Sequence, residues 1–176
     1  MYRNNRYDFS KMTVTDGTII GAATEPITLQ QAKNWLRLDH TDDDARITSL
    51  ITTARQRAEK YLRRDILPKT REVFWTVLTE DVNLPYTVDM ITSVTVNGQA
   101  LTENAGYELL GTGNAIFRVD ALPAEKVTVQ YSTPRYDDTQ VTNGVLMLIE
   151  EMYEGTSTAW KFTLSPFKVF GYYGIK

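Results

Sequence analysis

Cysteine is absent from this chain and histidine occurs once. Without thiols there are no disulfides and no thiolate metal centres, and the lack suits a cytosolic product. A single imidazole, His40, leaves one position for a histidine base. Neither a G-x-S-x-G elbow nor the Lys-Ser/Thr of a phosphate loop is found. No apolar run approaches the roughly 20 residues of a membrane span. The opening segment, MYRNNRYDFSKMTVTDG, carries no apolar h-region, so no signal peptide is expected. Positive charge is not in excess either. The net charge is −3, which argues against wrapping nucleic acid through its phosphates, although a local basic patch escapes that count.

What is present suits one globular domain with an inserted subdomain: 176 residues, 42% of them hydrophobic. Tyrosine, phenylalanine and tryptophan are plentiful, a composition that serves interfaces as well as cores.

Residues 1–24 have no clear periodicity and read as an extended arm with one short strand at 18–22. A helix follows. Thr28 and Gln31 fit a capping box, in which the hydroxyl accepts from the Gln31 N–H and the amide reaches back. Leu29, Ala32, Trp35 and Leu36 make its expected inner face. The acidic turn Asp42-Asp43-Asp44 opens a second helix, predicted over 44–64. Ile47, Leu50, Ile51, Ala54, Ala58, Tyr61 and Leu62 keep helical spacing on one stripe, with Leu50 in the middle. Carboxylates at its start and Arg63 and Arg64 at its end complement the helix dipole. Pro68 ends the pair.

From 69 to 132 the period changes to that of strands. Arg71–Leu78 has apolar groups on both faces and is expected to be well buried. Ile91–Val96 meets Asn97-Gly98, the strongest two-residue hairpin signal. Tyr107–Leu110 and Ala115–Val119 flank a turn at Gly111–Asn114, and Val127–Tyr131 alternates in period two. A third helix is expected over Thr142–Tyr153, weakened in its first turn by Gly144. The tail, 155–176, is broken by Gly and Pro yet aromatic. The fold class is therefore α+β: two N-terminal helices and a C-terminal helix form a body, with a small antiparallel sheet inserted as a lobe.

Chemistry finds few footholds. His40 beside Asp39 and Asp42–Asp44 offers metal-ligand types, but in no ligand spacing, and the Gly and distal Glu of a calcium loop are missing. Gly111-Thr112-Gly113 is better explained as a hairpin turn. No catalytic residue, cofactor or metal ligand is assigned. Two helices joined by a short turn also admit a DNA-binding helix-turn-helix regulator, reading through Arg55, Arg57, Lys60, Arg63 and Arg64. Against it, Glu59 and Asp65 interrupt those charges, and the helix is long for a reader. A solvated helix face, or one that meets another subunit, suits these five residues better.

The run Pro26-Ile27-Thr28-Leu29-Gln30-Gln31-Ala32-Lys33-Asn34-Trp35-Leu36-Arg37-Leu38-Asp39 resembles a P-x-[ST]-L-x-x-A-K-x-x-L-R-[LV]-D pattern of head–tail connector (adaptor, or head-completion) proteins of tailed double-stranded DNA phages. The likeness extends over roughly residues 25–155. It includes the acidic opening and Tyr61-Leu62-Arg63-Arg64 ending of the second helix, Trp75, Leu84-Pro85, Ile91-Thr92-Ser93-Val94, Tyr107, Val127-Thr128-Val129-Gln130-Tyr131 and Tyr153-Glu154. The chain departs from the pattern at Ser132-Thr133-Pro134, where relatives have Gly-Tyr. It departs again at Gly155-Thr156-Ser157, where they have Asn-Arg-Glu, and at its C-terminal end.

The resemblance implies a structural role without catalysis or cofactor. About a dozen copies would form a ring under the portal protein through head-to-tail interfaces that close. The ring would sit in the virion neck after assembly in the host cytoplasm, pass packaged DNA without reading it, touch no membrane and receive the stopper or tail. The expected division is an N-terminal arm (1–24), a connector domain (25–154) with its β insertion at about 69–132, and a docking tail (155–176). Trp160, Phe162, Phe167, Phe170, Tyr172 and Tyr173 would anchor the portal or another partner, the competing reading being that these rings complete the subunit's own core.

Overall fold

The structure is a computed structural model. It describes residues 13–15, 17–76, 81–110, 116–119 and 125–169. The described chain divides into two compact units, a helical one of residues 22–67 and 135–169 and a β-rich one of residues 13–21 and 68–134. Together they give the α+β class that the change of period implies.

In the helical unit, α1 (Leu29–Leu36) begins at Thr28 with the expected capping box, the Gln31 amide oxygen accepting from the Thr28 N–H at 2.8 Å. Its buried face differs from the expected one. Ala32, Lys33 and Leu36 turn inward, while Trp35 is 40% exposed and donates its indole N–H to Glu150 at 2.8 Å. Lys33 is accommodated because its ammonium reaches Asp44 at 2.7 Å while its stem lies on the core. The aromatic, which is wider, is left at the rim.

α2 (Asp44–Leu62) buries Ile47, Ile51, Ala54, Ala58 and Leu62. Leu50 is at the margin of that stripe, partly buried. The helix stops at Leu62 rather than 64 because Arg63 turns left-handed, with φ 53°, and its N–H reaches back to the Glu59 carbonyl. α3 (Thr139–Glu154) starts earlier than expected. Asp138 accepts from the N–H groups of Gln140 and Val141 and so caps it. Gly155, at φ 77°, closes it. α4 (Trp160–Leu164) and a 3-10 turn at Ser165–Phe167 follow. The Val169 N–H then donates to the Leu62 carbonyl at 2.9 Å, which satisfies one of the open acceptors at the end of α2.

The β-rich unit holds two antiparallel sheets. The larger runs β1 (Thr13–Val14), β3 (Lys69–Thr76), β9 (Lys126–Thr133), β5 (Met90–Val96) and β6 (Gln99–Ala100), with β2 (Thr18–Ile19) also paired to β3. The smaller runs β4 (Asp81–Asn83), β8 (Ile116–Val119) and β7 (Tyr107–Leu110). Asn97 and Gly98 both take positive φ, 49° and 84°, the primed turn that the Asn-Gly pair calls for. β3 is buried on one face only: Val73 and Trp75 face the core and Thr70 and Thr76 face out, so the expectation of two buried faces is corrected. Its other face is mostly polar, with Gln130 bridging Glu72 and Ser93 and Lys126 lying 4.4 Å from the centroid of the half-buried Phe74 ring. The inner face packs Val73, Trp75, Val94, Val127, Val129 and Tyr131 with Leu84, and Leu109 of β7 leans on that core. Residues 1–12, 16, 77–78, 111–115 and 170–176 of the expected elements lie outside the described residues.

Gly144 is explained by α4. A Cβ there would stand 2.4 Å from Leu164 Cδ2 and 2.7 Å from its Cγ, and Leu164 is fully buried. Gly144→Ala should therefore lower stability by about 1–3 kcal/mol through overpacking, although alanine favours a helix by up to about 1 kcal/mol. Thermal melts decide the sign. A raised melting temperature would mean that α4 yields freely.

Candidate functional site

Among the described residues, no group of three or more His, Cys, Asp or Glu side chains is placed to hold a metal ion. His40 lies 3.9 Å from Asp42 on an exposed turn. No described helix is long and apolar enough to cross a membrane. The two sets of residues singled out in the sequence are the cations of α2 and the aromatic segment after α3.

The cations separate by burial. Arg55 is 2% exposed. Its Nε and Nη2 reach Glu25 at 2.7 and 3.2 Å, and its Nη1 reaches Glu59 at 2.9 Å. Glu25 also accepts from the Thr52 hydroxyl at 3.0 Å. The other Glu59 oxygen accepts from the backbone N–H groups of Ile66 and Leu67 at 2.9 and 3.3 Å. Burial opposes the charged guanidinium, but the Glu25 hydrogen bond and the charges of Glu59 and Glu25 outweigh it and hold its pKa above the ordinary value. The charge of Arg55 is thus neutralised inside the subunit and is not displayed to a neighbour. The Arg55–Glu59 half of this network is an i,i+4 helix pair and is visible in sequence. Glu25, thirty positions away, gives no local signal.

Arg57, Lys60 and Arg63 are exposed, and Arg64 lies with its guanidinium carbon 4.2 Å from the Tyr136 ring centroid. Arg57 is 3.7 Å from Glu151 and 5.3 Å from the Trp160 ring centroid. Glu59 and Asp65, which appear in sequence to dilute this basic run, are both buried.

The aromatic segment divides in two. Trp160 is buried with Leu164 in the helical core, edge-on to Tyr61 at 5.2 Å between centroids. The Tyr61 hydroxyl donates to the Lys161 carbonyl at 3.1 Å. Phe167 is partly buried on the same core. Phe162 points outward and is 83% exposed. Phe170, Tyr172 and Tyr173 lie outside the described residues. Glu151 ties this segment to α3. The Thr158 N–H, donating at 3.1 Å, does most to hold its carboxyl below the usual carboxylate range. Burial works against that shift, while a Trp160 hydrogen bond and the charges of Arg57 and Lys161 add to it.

Residues 26–106 match the family described as phage gp6-like head-tail connector proteins, so the resemblance seen in the sequence is shown over that stretch. That description is of a structural part. Solved structures of similar fold come from gene transfer agent particles. One is a chain of the neck of an empty particle, computed with C6 symmetry, with a TM-score of 0.70 at 14% identity, covering 91% of this chain and 98% of that one. A second is from the virion of the native particle, with a TM-score of 0.67 at 16% identity and the same coverage. A third is from the native neck computed with C12 symmetry, with a TM-score of 0.65 at 14% identity, again with that coverage. A comparison with curated proteins gave no match.

Two expectations follow. Arg55→Ala strands Glu59 and Glu25 and should cost about 3–5 kcal/mol, whereas Arg57→Ala should stay within about 1 kcal/mol. Equal denaturation midpoints for the two would contradict the burial difference. Glu151, with its folded pKa lowered, stabilises above the ordinary glutamate value of about 4.3 and loses that contribution as pH falls through the folded value. Glu151→Gln should therefore melt below the wild type at pH 7, with the gap closing in strong acid. A gap independent of pH would count against the hydrogen-bonded carboxylate.

Proposed function

We propose that this chain is a structural head–tail connector. Copies close into a ring beneath the portal protein in the neck of a virion or virion-like particle, extend the DNA channel and receive the stopper or tail. The observation that carries this reading is the match of residues 26–106 to gp6-like head-tail connectors. Similarity of the whole fold to chains from gene transfer agent necks, whose structures were computed with C6 and C12 symmetry, supports it. No step in this role requires a cofactor or a catalytic residue, and DNA passes without being read.

Within this role we assign the subunit interface to the exposed α2 cations Arg57, Lys60 and Arg63, with Arg64 beside them. The docking element is the segment after α3. Its anchor is Phe162, because Trp160 and Leu164 face the subunit's own core. A phenyl ring left 83% exposed on a helix whose other large apolar side chains, Trp160 and Leu164, are buried is the kind of group that fills a partner's pocket. A truncation at 158 cannot isolate docking, since it would also strip Trp160 and Leu164 from the core.

Co-sedimentation with portal-bearing heads tests the role. The full chain should pellet with them. Phe162→Asp should stay within about 0.5 kcal/mol of wild-type stability, as surface changes usually do, yet fail to pellet. Wild-type protein that never co-sediments would remove the connector reading. A Phe162→Asp variant that still attaches would move the docking surface elsewhere on the subunit.

A further inference from the structure

The sequence suggests that Glu59 and Asp65 dilute the basic run on α2, but both are buried. The surface around the Tyr61–Trp160 pair is therefore more cationic than the sequence suggests. Arg57 and Lys161 lie 5.3 and 5.5 Å from the Trp160 ring centroid, and Lys168 lies 4.8 Å from that of Tyr61. Lys60, exposed, is one turn from Arg57. Against this group stands Glu151, paired with Arg57 at 3.7 Å.

The opposite end of the same helix is acidic. Asp39, Asp42 and Glu154 are exposed, and the Asp42 side chain is 90% accessible. The C-terminus of α3 is brought to this end by the Tyr153 hydroxyl, which donates to Asp43 at 2.7 Å. Two cations share the region: Arg37 is exposed, and Arg46 donates to the Tyr153 carbonyl at 3.1 Å. Asp44 and Lys60 are about 24 Å apart along α2 at 1.5 Å per residue. Asp42 and Lys60 thus stand at opposite ends of α2, and Glu154 lies one turn of α3 beyond the Glu151 that pairs with Arg57.

We propose that the cationic face around Lys60 and Lys161 binds a second copy of this chain, through the acidic end that bears Asp42 and Glu154. This rests on the ring reading and specifies its contact. A closed ring needs two different, mutually complementary patches on each subunit. A duplex is a poorer occupant, because a chain of net charge −3 would bring its acidic end with it. Long-range attraction between exposed charges is screened beyond about 8 Å at physiological salt, so assembly should weaken as salt rises.

Charge reversal tests the contact on the full chain. Lys60→Glu with Lys161→Glu makes both ends acidic, and Asp42→Lys with Glu154→Lys makes both basic. Sedimentation velocity, alone and with portal-bearing heads, should show each double variant assembling about tenfold or more weaker than wild type. Mixing the two should restore assembly, since acidic and basic copies alternate. Combining all four changes in one chain should restore it too, with the polarity exchanged. Melts of every variant separate lost contact from lost fold, and the two rescues cannot arise from misfolding. Unchanged assembly in either double variant, or folded variants with no rescue, would overturn the proposal and leave the ring reading standing. Wild-type protein that assembles neither alone nor on heads would overturn both. Loss of labelled duplex binding by the lysine variant, with assembly intact, would reassign the face to phosphate contact and also overturn it.

Discussion

A guanidinium buried to 2% exposure has to meet its anions as the core closes, and Arg55 meets two. Glu25 holds it from the segment that leads into α1, and Glu59 holds it from the next turn of α2. Glu59 also receives the N–H groups of Ile66 and Leu67, the last residues of the helical unit before the chain enters the β-rich one. One set of hydrogen bonds therefore fixes both crossings to α2. An isolated buried ion costs several kcal/mol, so a half-made network is worse than none. The arrangement also removes the acid of Glu59 from the surface, and that makes the exposed remainder of α2 basic.

The helical core then decides what the C-terminal segment can present. Gly144 lets Leu164 approach α3, and this brings Trp160 against Tyr61. With those side chains turned inward, Phe162 is carried to the outside of the same short helix. Local packing thus turns Trp160 inward and Phe162 outward. In the proposed connector role, Phe162 and the cations near it form the contact surface.

What was legible in the sequence was local. The Thr28–Gln31 box and the Asn97-Gly98 turn rest on contacts within three residues, and both are present. The period of α2 was legible because a 19-residue helix repeats its stripe often enough to outweigh single exceptions. α1, with eight residues, repeats too little, and there the exchange of Trp35 for Lys33 was decided by Asp44, which lies beyond its end. The inward turn of Trp160, the reason for Gly144 and the pairing of Arg55 with Glu25 all depend on partners remote in the chain. Residue type alone could not reveal them. The family resemblance was legible because it rests on the order of many small signals, and the family match covers residues 26–106.

In the proposed role, many copies act as one annular part between portal and tail. Electron micrographs of portal-bearing heads incubated with the full chain test it most directly. The account predicts class averages with a closed ring of extra density coaxial with the portal vertex and absent from heads alone. Heads that remain bare at saturating protein, or that bind it at scattered sites away from that vertex, would contradict it.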